Sequence, residues 1–315
     1  MDIKLQIKKI GADIVCKYLK NNPTLFSTIE IETVNRCNGK CSFCPVNRRL
    51  DSRPFTKMDD DLFKKIINEL SSIRYTGTIG LQSNNEPLLD KNIISKLNMI
   101  KAVCPTAITF MYTNGTLLTV EKMMQILDAG VKIIQIDNYN DQLVMHENIR
   151  LIDQHFRMIN DNRYLSNVKI IVQSENIVRT NRGGNAPNKT PIENKEYLMF
   201  KNTGCLLPFR QLVVRPDGKV SLCCQDAFGK VTLGDCKKQT LLEIWSGDKY
   251  SQLRKELHKN GRNNLSLCKN CDVLQFSVNN FNLIFNRLLG RDIVVVDGHI
   301  SKGKIFNKAS YTSNI

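Results

Sequence analysis

From residue 28 to about 173 the chain alternates short β-branched and apolar runs with longer stretches whose apolar residues recur every three or four positions. Five runs read as strands, at 28–34, 78–83, 107–112, 132–137 and 168–173. The segments between them carry helical spacing. One helix opens at an Asp59/Asp60 cap and repeats Leu62, Ile66, Ile67 and Leu70 on one face; another runs from Thr119 to a stop at Gly130. Strands alternating with helices predict an α/β chain built on a parallel sheet. A sixth unit fits poorly, because the Gly-, Pro- and Asn-rich stretch 181–204 follows the fifth strand at once and reads as a linker. Past it lies a cysteine-rich region at 205–275. The first 27 residues scatter lysines among apolar residues at helical spacing and predict a helical extension. The tail, 276–315, contains Asp292-Ile293-Val294-Val295-Val296-Asp297-Gly298, which predicts a hairpin with no assignable chemistry.

Composition narrows the setting. A length of 315 residues suits about two domains. No apolar run approaches the roughly 18 residues that span a membrane, and nothing resembles a targeting segment. Eleven cysteines in a chain without a secretory signal point to metal binding in a reducing cytoplasm rather than to a disulfide framework. The formal net charge of +15 suits an anionic substrate, an acidic electron donor or a solvated basic surface. The Lys and Arg residues form no block and no aromatic-interleaved stripe, so the sequence gives no footprint for nucleic acid.

The chemistry begins directly after the first strand, where an α/β barrel places its functional groups. Cys37, Cys41 and Cys44 lie in Asn35-Arg36-Cys37-Asn38-Gly39-Lys40-Cys41-Ser42-Phe43-Cys44-Pro45. Three thiolates hold three irons of a [4Fe–4S] cluster and leave the fourth iron open for a ligand, whereas four would close a structural site. A zinc knuckle is the alternative that the spacing alone allows. The C-x3-C-x2-C segment resembles the radical S-adenosylmethionine (SAM) superfamily. That resemblance implies a partial (β/α) barrel of five to six units. It also implies a cluster whose open iron chelates SAM and whose electron cleaves it to a 5′-deoxyadenosyl radical.

Further segments resemble the same family. The second strand ends in Ser83-Asn84-Asn85-Glu86-Pro87, where the family commonly has Gly-Gly-Glu-Pro; Glu86 then matches the acidic group that receives the SAM amine, and two asparagines replace glycines in the turn. Thr113-Asn114-Gly115 resembles the family's third-strand ending at the SAM site. The resemblance puts Phe43 against the adenine; Asp137, ending the fourth strand where a barrel places its chemistry, is a candidate contact of SAM or substrate. Arg182, beside two glycines after the fifth strand, is the candidate catalytic residue, since a guanidinium can bind a hydroxyl pair or a carboxylate.

Cys205, Gly218 and Cys223, followed by the knuckle Cys268-Lys269-Asn270-Cys271, resemble the SPASM/twitch auxiliary domain in its short, four-cysteine form. Asp217-Gly218 predicts the hairpin turn that joins the first two cysteines. A zinc ribbon remains the alternative from spacing alone. Cys224 and Cys236 are spare, and Cys224 could replace Cys223 or return a hydrogen atom to a substrate radical. With two [4Fe–4S]²⁺ cores and seven thiolates, the formal charge would fall from +15 to about +12.

The resemblance extends to twitch enzymes that dehydrogenate aminocyclitols, and implies two-electron oxidation of a secondary alcohol on a sugar or cyclitol. The auxiliary cluster would then accept an electron, Arg182 would orient the hydroxyl, and a flavodoxin- or ferredoxin-type donor would reduce the first cluster. Two alternatives stay open: peptide side-chain modification, as in other SPASM members, and redox-neutral epimerisation with a cysteine hydrogen donor.

Overall fold

The computed structural model describes residues 24–189, 205–273 and 304–306. One mixed sheet organises them, with nine strands in the order β8-β7-β6-β1-β2-β3-β4-β5-β9. Strands β1 (Thr28–Ile31), β2 (Thr78–Gly80), β3 (Ile108–Thr113), β4 (Ile133–Tyr139) and β5 (Val168–Gln173) are those anticipated from the sequence, all parallel. The two ends of this series do not meet, so the sheet is an open, partial barrel.

The sixth parallel strand lies beyond the expected linker. Strand β6 (Gln211–Val214) pairs with β1 in the register Thr28↔Gln211 to Ile31↔Val214. Strands β7 (Lys219–Ser221) and β8 (Thr232–Asp235) then continue the same sheet antiparallel. The cysteine-rich region thus shares its sheet with the barrel. The turn between β6 and β7 closes with Gly218 N–H donating to Arg215 O, and Gly218 sits at φ +86°, a conformation costly for residues with a Cβ. The hairpin expected at 292–298 and most of the helical extension lie outside the described residues; from the tail, β9 (Lys304–Phe306) pairs antiparallel with β5.

The helices fold for local reasons. Helix α1 (Asp60–Ser72) is capped by the Asp59 carboxylate, which accepts from the N–H groups of Asp61 and Leu62. Its apolar stripe, Leu62, Phe63, Ile66, Ile67 and Leu70, is buried against Ile29 and Ile31 in one core cluster. Helices α2 (Ile93–Val103), α3 (Val120–Asp128) and α4 (Glu147–Met158) cover the same side, with Thr119 capping α3. A short α5 (Asn162–Asn167) precedes β5, and α6 (Leu207–Arg210) precedes β6. Helices α7 (Leu241–Ser246) and α8 (Asp248–Asn260) pack on the far end of the sheet, α7 opened by a Thr240/Glu243 capping box.

In β1 the isoleucines face this apolar layer while Thr28 and Glu30 face inward, which leaves the barrel lumen polar. Among the described residues no helix is long and apolar enough to cross a membrane.

Candidate active site

The polar lumen opens into a cavity of about 480 Å³. Strand β1 ends where the predicted strand would have continued, because the chain turns to build this cavity's wall. Asn35 holds the turn: its side chain donates to Pro54 O at 2.8 Å and accepts from Thr56 N–H at 2.8 Å. Asn47 closes the other side by donating to Cys44 O at 2.8 Å. Between them Cys37, Cys41 and Cys44 all line the cavity.

Gly39 shows how closely the sulfurs gather. A Cβ placed there would lie 3.3 Å from Cys37 Sγ and 3.7 Å from Cys41 Sγ, and the Gly39 N–H already points at Cys37 Sγ from 3.3 Å. Burial, reinforced by the Glu86 carboxylate and then Cys44, pushes the Cys37 thiol up to about 12, and burial with the neighbouring sulfurs raises that of Cys41 as well. Thiols so placed ionise readily only against a cation, and cluster irons would supply that charge.

Glu86, Thr113 and Asn114 form one network on the opposite wall. The Glu86 carboxylate accepts from Thr113 Oγ1 (2.7 Å), Asn114 N–H (2.8 Å) and Leu88 N–H (3.1 Å). Burial raises it to about 7 despite these donors. Asn114 reaches back to the cysteine loop, donating to Asn38 Oδ1 at 2.8 Å and lying 3.8 Å from Cys37 Sγ. Gly115 lies off the cavity lining; at φ +75° it turns the chain, and a Cβ there would collide with Ile136 and Ile149 at 2.7 Å. Phe43 lines the cavity with its ring edge-on to Tyr139, centroids 5.3 Å apart, and Arg179 over one face at 5.0 Å. Asp137 sits beside them; burial raises it to about 6 while Arg179 opposes the rise.

Arg182 lies at the other end of the cavity. Its guanidinium donates to Asn84 Oδ1 at 2.6 Å and shares the wall with Glu30, Gln211 and Cys224. Glu30 was not singled out in the sequence, although its place on the polar face of an otherwise apolar strand is a usable signal. Its Oε1 accepts from Gln211 Nε2 at 2.8 Å, while Oε2 is buried with the Ser83 side chain beside the carboxyl. Burial is the largest influence and raises this carboxyl to about 7; nearby Ser83 and Arg182 pull the other way.

Cys205, Cys223, Cys268 and Cys271 line a second, smaller cavity with Leu207, Leu222 and Leu267. Burial and mutual repulsion with the other three raise Cys223 well above an ordinary thiol. Four cysteines lining one cavity match the four irons of a cubane, each of which takes one thiolate. Cys224 turns to the first cavity, and Cys236 is packed in the apolar core.

Family models agree with this geometry. The radical SAM superfamily matches residues 31–169, and the SPASM iron–sulfur cluster-binding domain matches 205–272. The chain belongs to the radical SAM superfamily, is an oxidoreductase of that class, and uses SAM and [4Fe–4S] clusters. It is 30% identical over 252 residues to the S-adenosyl-L-methionine-dependent 2-deoxy-scyllo-inosamine dehydrogenase of Niallia circulans, covering 79% of this chain and 93% of that one. The structure of BtrN in complex with AdoMet and 2-DOIA superposes with a TM-score of 0.68 at 28% identity, over 80% of this chain and 94% of that one. Native anSMEcpe with bound AdoMet shares the fold at 15% identity and TM-score 0.54, over 84% and 98% of the two chains.

Proposed function

We propose that this enzyme oxidises a secondary alcohol on an aminocyclitol or amino sugar to the ketone. The observation that carries this reading is the position of Cys224. Its side chain lines the lumen that the first three cysteines also line, while its neighbour Cys223 belongs to the four-cysteine cavity. The substrate space therefore lies against both cluster sites. Similarity to a dehydrogenase whose substrate is an inosamine supplies the substrate class.

When bound, the cofactors supply a carbon-centred radical that takes one hydrogen atom from the substrate and a cluster that accepts one electron. What remains is a proton on the alcohol oxygen, and the chain's own residues handle it. The Arg182 guanidinium, facing the cavity, can bind that oxygen and favour its deprotonation. Glu30 presents a buried carboxyl to the same space, suited to receive a substrate ammonium or hydroxyl. Glu86, with Thr113 and Asn114, would face the amine of SAM, and Phe43 and Asp137 its nucleoside end. Cys37, Cys41 and Cys44 would hold the first cluster, and Cys205, Cys223, Cys268 and Cys271 the second. A basic chain in a reducing cytoplasm would take its electron from an acidic flavodoxin- or ferredoxin-type donor.

Cys224 also supports a second reading, since a thiol in the lumen could return a hydrogen atom and make the reaction an epimerisation. Anaerobic turnover of 2-deoxy-scyllo-inosamine by the reconstituted enzyme separates the two. Dehydrogenation yields a product lighter by two hydrogens, one per 5′-deoxyadenosine formed. A product of unchanged mass, or no consumption of the aminocyclitol, would refute the proposal.

A further inference from the structure

Arg182 sits in a conformation that its own chemistry disfavours. Its φ is +52°, and Gly183 (+65°) and Gly184 (+84°) continue the left-handed turn. A residue with a Cβ rarely enters that region, and persists there only where its surroundings fix it.

The surroundings are specific. Asn181 is fully buried and bonded to the segment that carries the last two auxiliary cysteines: its N–H donates to Asp272 Oδ1 (2.8 Å), its Oδ1 accepts from Asp272 N–H (3.2 Å), and its Nδ2 donates to Asn270 O. Gly183 lies so close to Leu267, the residue before Cys268, that a Cβ would stand 3.0 Å from its side chain. At the far end of the arginine, Asn84 Oδ1 accepts from the guanidinium while Asn84 Nδ2 donates to Cys224 O at 3.1 Å. The Asn84 N–H in turn donates to Glu32 Oε1 at 2.6 Å.

We propose that Asn181 and Asn84 are positioning residues that hold Arg182 at its two ends against the auxiliary domain. The peptides around Cys268–Cys271 and Cys223–Cys224 thereby set the direction of the guanidinium as well as carrying a cluster. The asparagine at 84, where the family commonly has glycine, then has a reason to be there: glycine would leave the guanidinium without its acceptor and Cys224 O without its donor. The inference rests on the reading that Arg182 faces the substrate.

The test is a double-mutant cycle, read as the dissociation constant of 2-deoxy-scyllo-inosamine from the oxidised, SAM-bound holoenzyme, which does not turn over, with iron content measured in every variant. Arg182→Ala should weaken binding at least tenfold. Asn181→Ala and Asn84→Gly should each weaken it about three- to tenfold with iron content unchanged, and neither should add further loss in the Arg182→Ala background. Asn84→Gly restores the residue usual in the family, so it keeps the test open should Asn181→Ala fail to fold. If Arg182→Ala binds as wild type does, the reading of Arg182 fails. If Arg182→Ala is impaired but Asn84→Gly is silent, or its loss multiplies with that of Arg182→Ala, the positioning proposal is overturned and the reading of Arg182 stands.

Discussion

Glu30 shows what a single residue contributes to this site. A carboxyl raised to about 7 is largely neutral at pH 6 and largely charged at pH 8. The charged and titratable groups around it are Arg182, Glu32 and Cys224, with Ser83 and Gln211 as neutral partners. A substrate ammonium needs the ionised form, so its apparent affinity should strengthen about tenfold as pH rises from 6 to 8. Glu30→Gln should weaken binding and flatten that profile. A profile that Glu30→Gln leaves unaltered would remove Glu30 from the substrate site. At this scale the cysteines, Glu86, Asn114 and Arg182 were legible as cavity-lining candidates because each stands in a local pattern. Glu30 and Asn181 were not, because their roles depend on partners far along the chain: Gln211 pairs with Glu30, and Asp272 pairs with Asn181.

Among the elements, the least legible was β6. Its four residues carry no strong alternation, and its partner β1 lies about 180 positions earlier, so only tertiary pairing makes it the sixth parallel strand. β5, by contrast, spans the predicted 168–173, and the Asp59 and Thr119 caps lie where the sequence put them, because caps and apolar stripes are local. One arginine ties α8 both to its own neighbours and, at Pro208, to a segment 46 positions earlier. The Arg254 guanidinium lies 4.0 Å from the Trp245 ring centroid and 4.7 Å from that of Tyr250. It donates to Trp245 O at 2.7 Å and to Pro208 O at 3.0 Å, and burial lowers it to about 10. Arg254→Ala leaves both carbonyls buried without a donor and should cost about 2–4 kcal/mol. Urea unfolding of the anaerobic holoenzyme, followed by circular dichroism, should show that loss; an unchanged midpoint would mean the guanidinium is dispensable for packing.

The molecule as a whole is one sheet, with three candidate cluster cysteines lining its lumen and four lining a second cavity beside it. Continuity of β6, β7 and β8 with the barrel strands fixes the spacing between those sites, which a flexibly tethered second domain could not do. That spacing is what allows one substrate to face a radical source and an electron acceptor together. The account therefore stands on two clusters being present. The most direct measurement is iron and sulfide per chain after anaerobic reconstitution, for wild type and for Cys37→Ala/Cys41→Ala/Cys44→Ala. About eight irons falling to about four is the predicted result for two [4Fe–4S] clusters. About four falling to none would contradict it, leaving the Cys205–Cys271 site without an electron acceptor and oxidation without a sink.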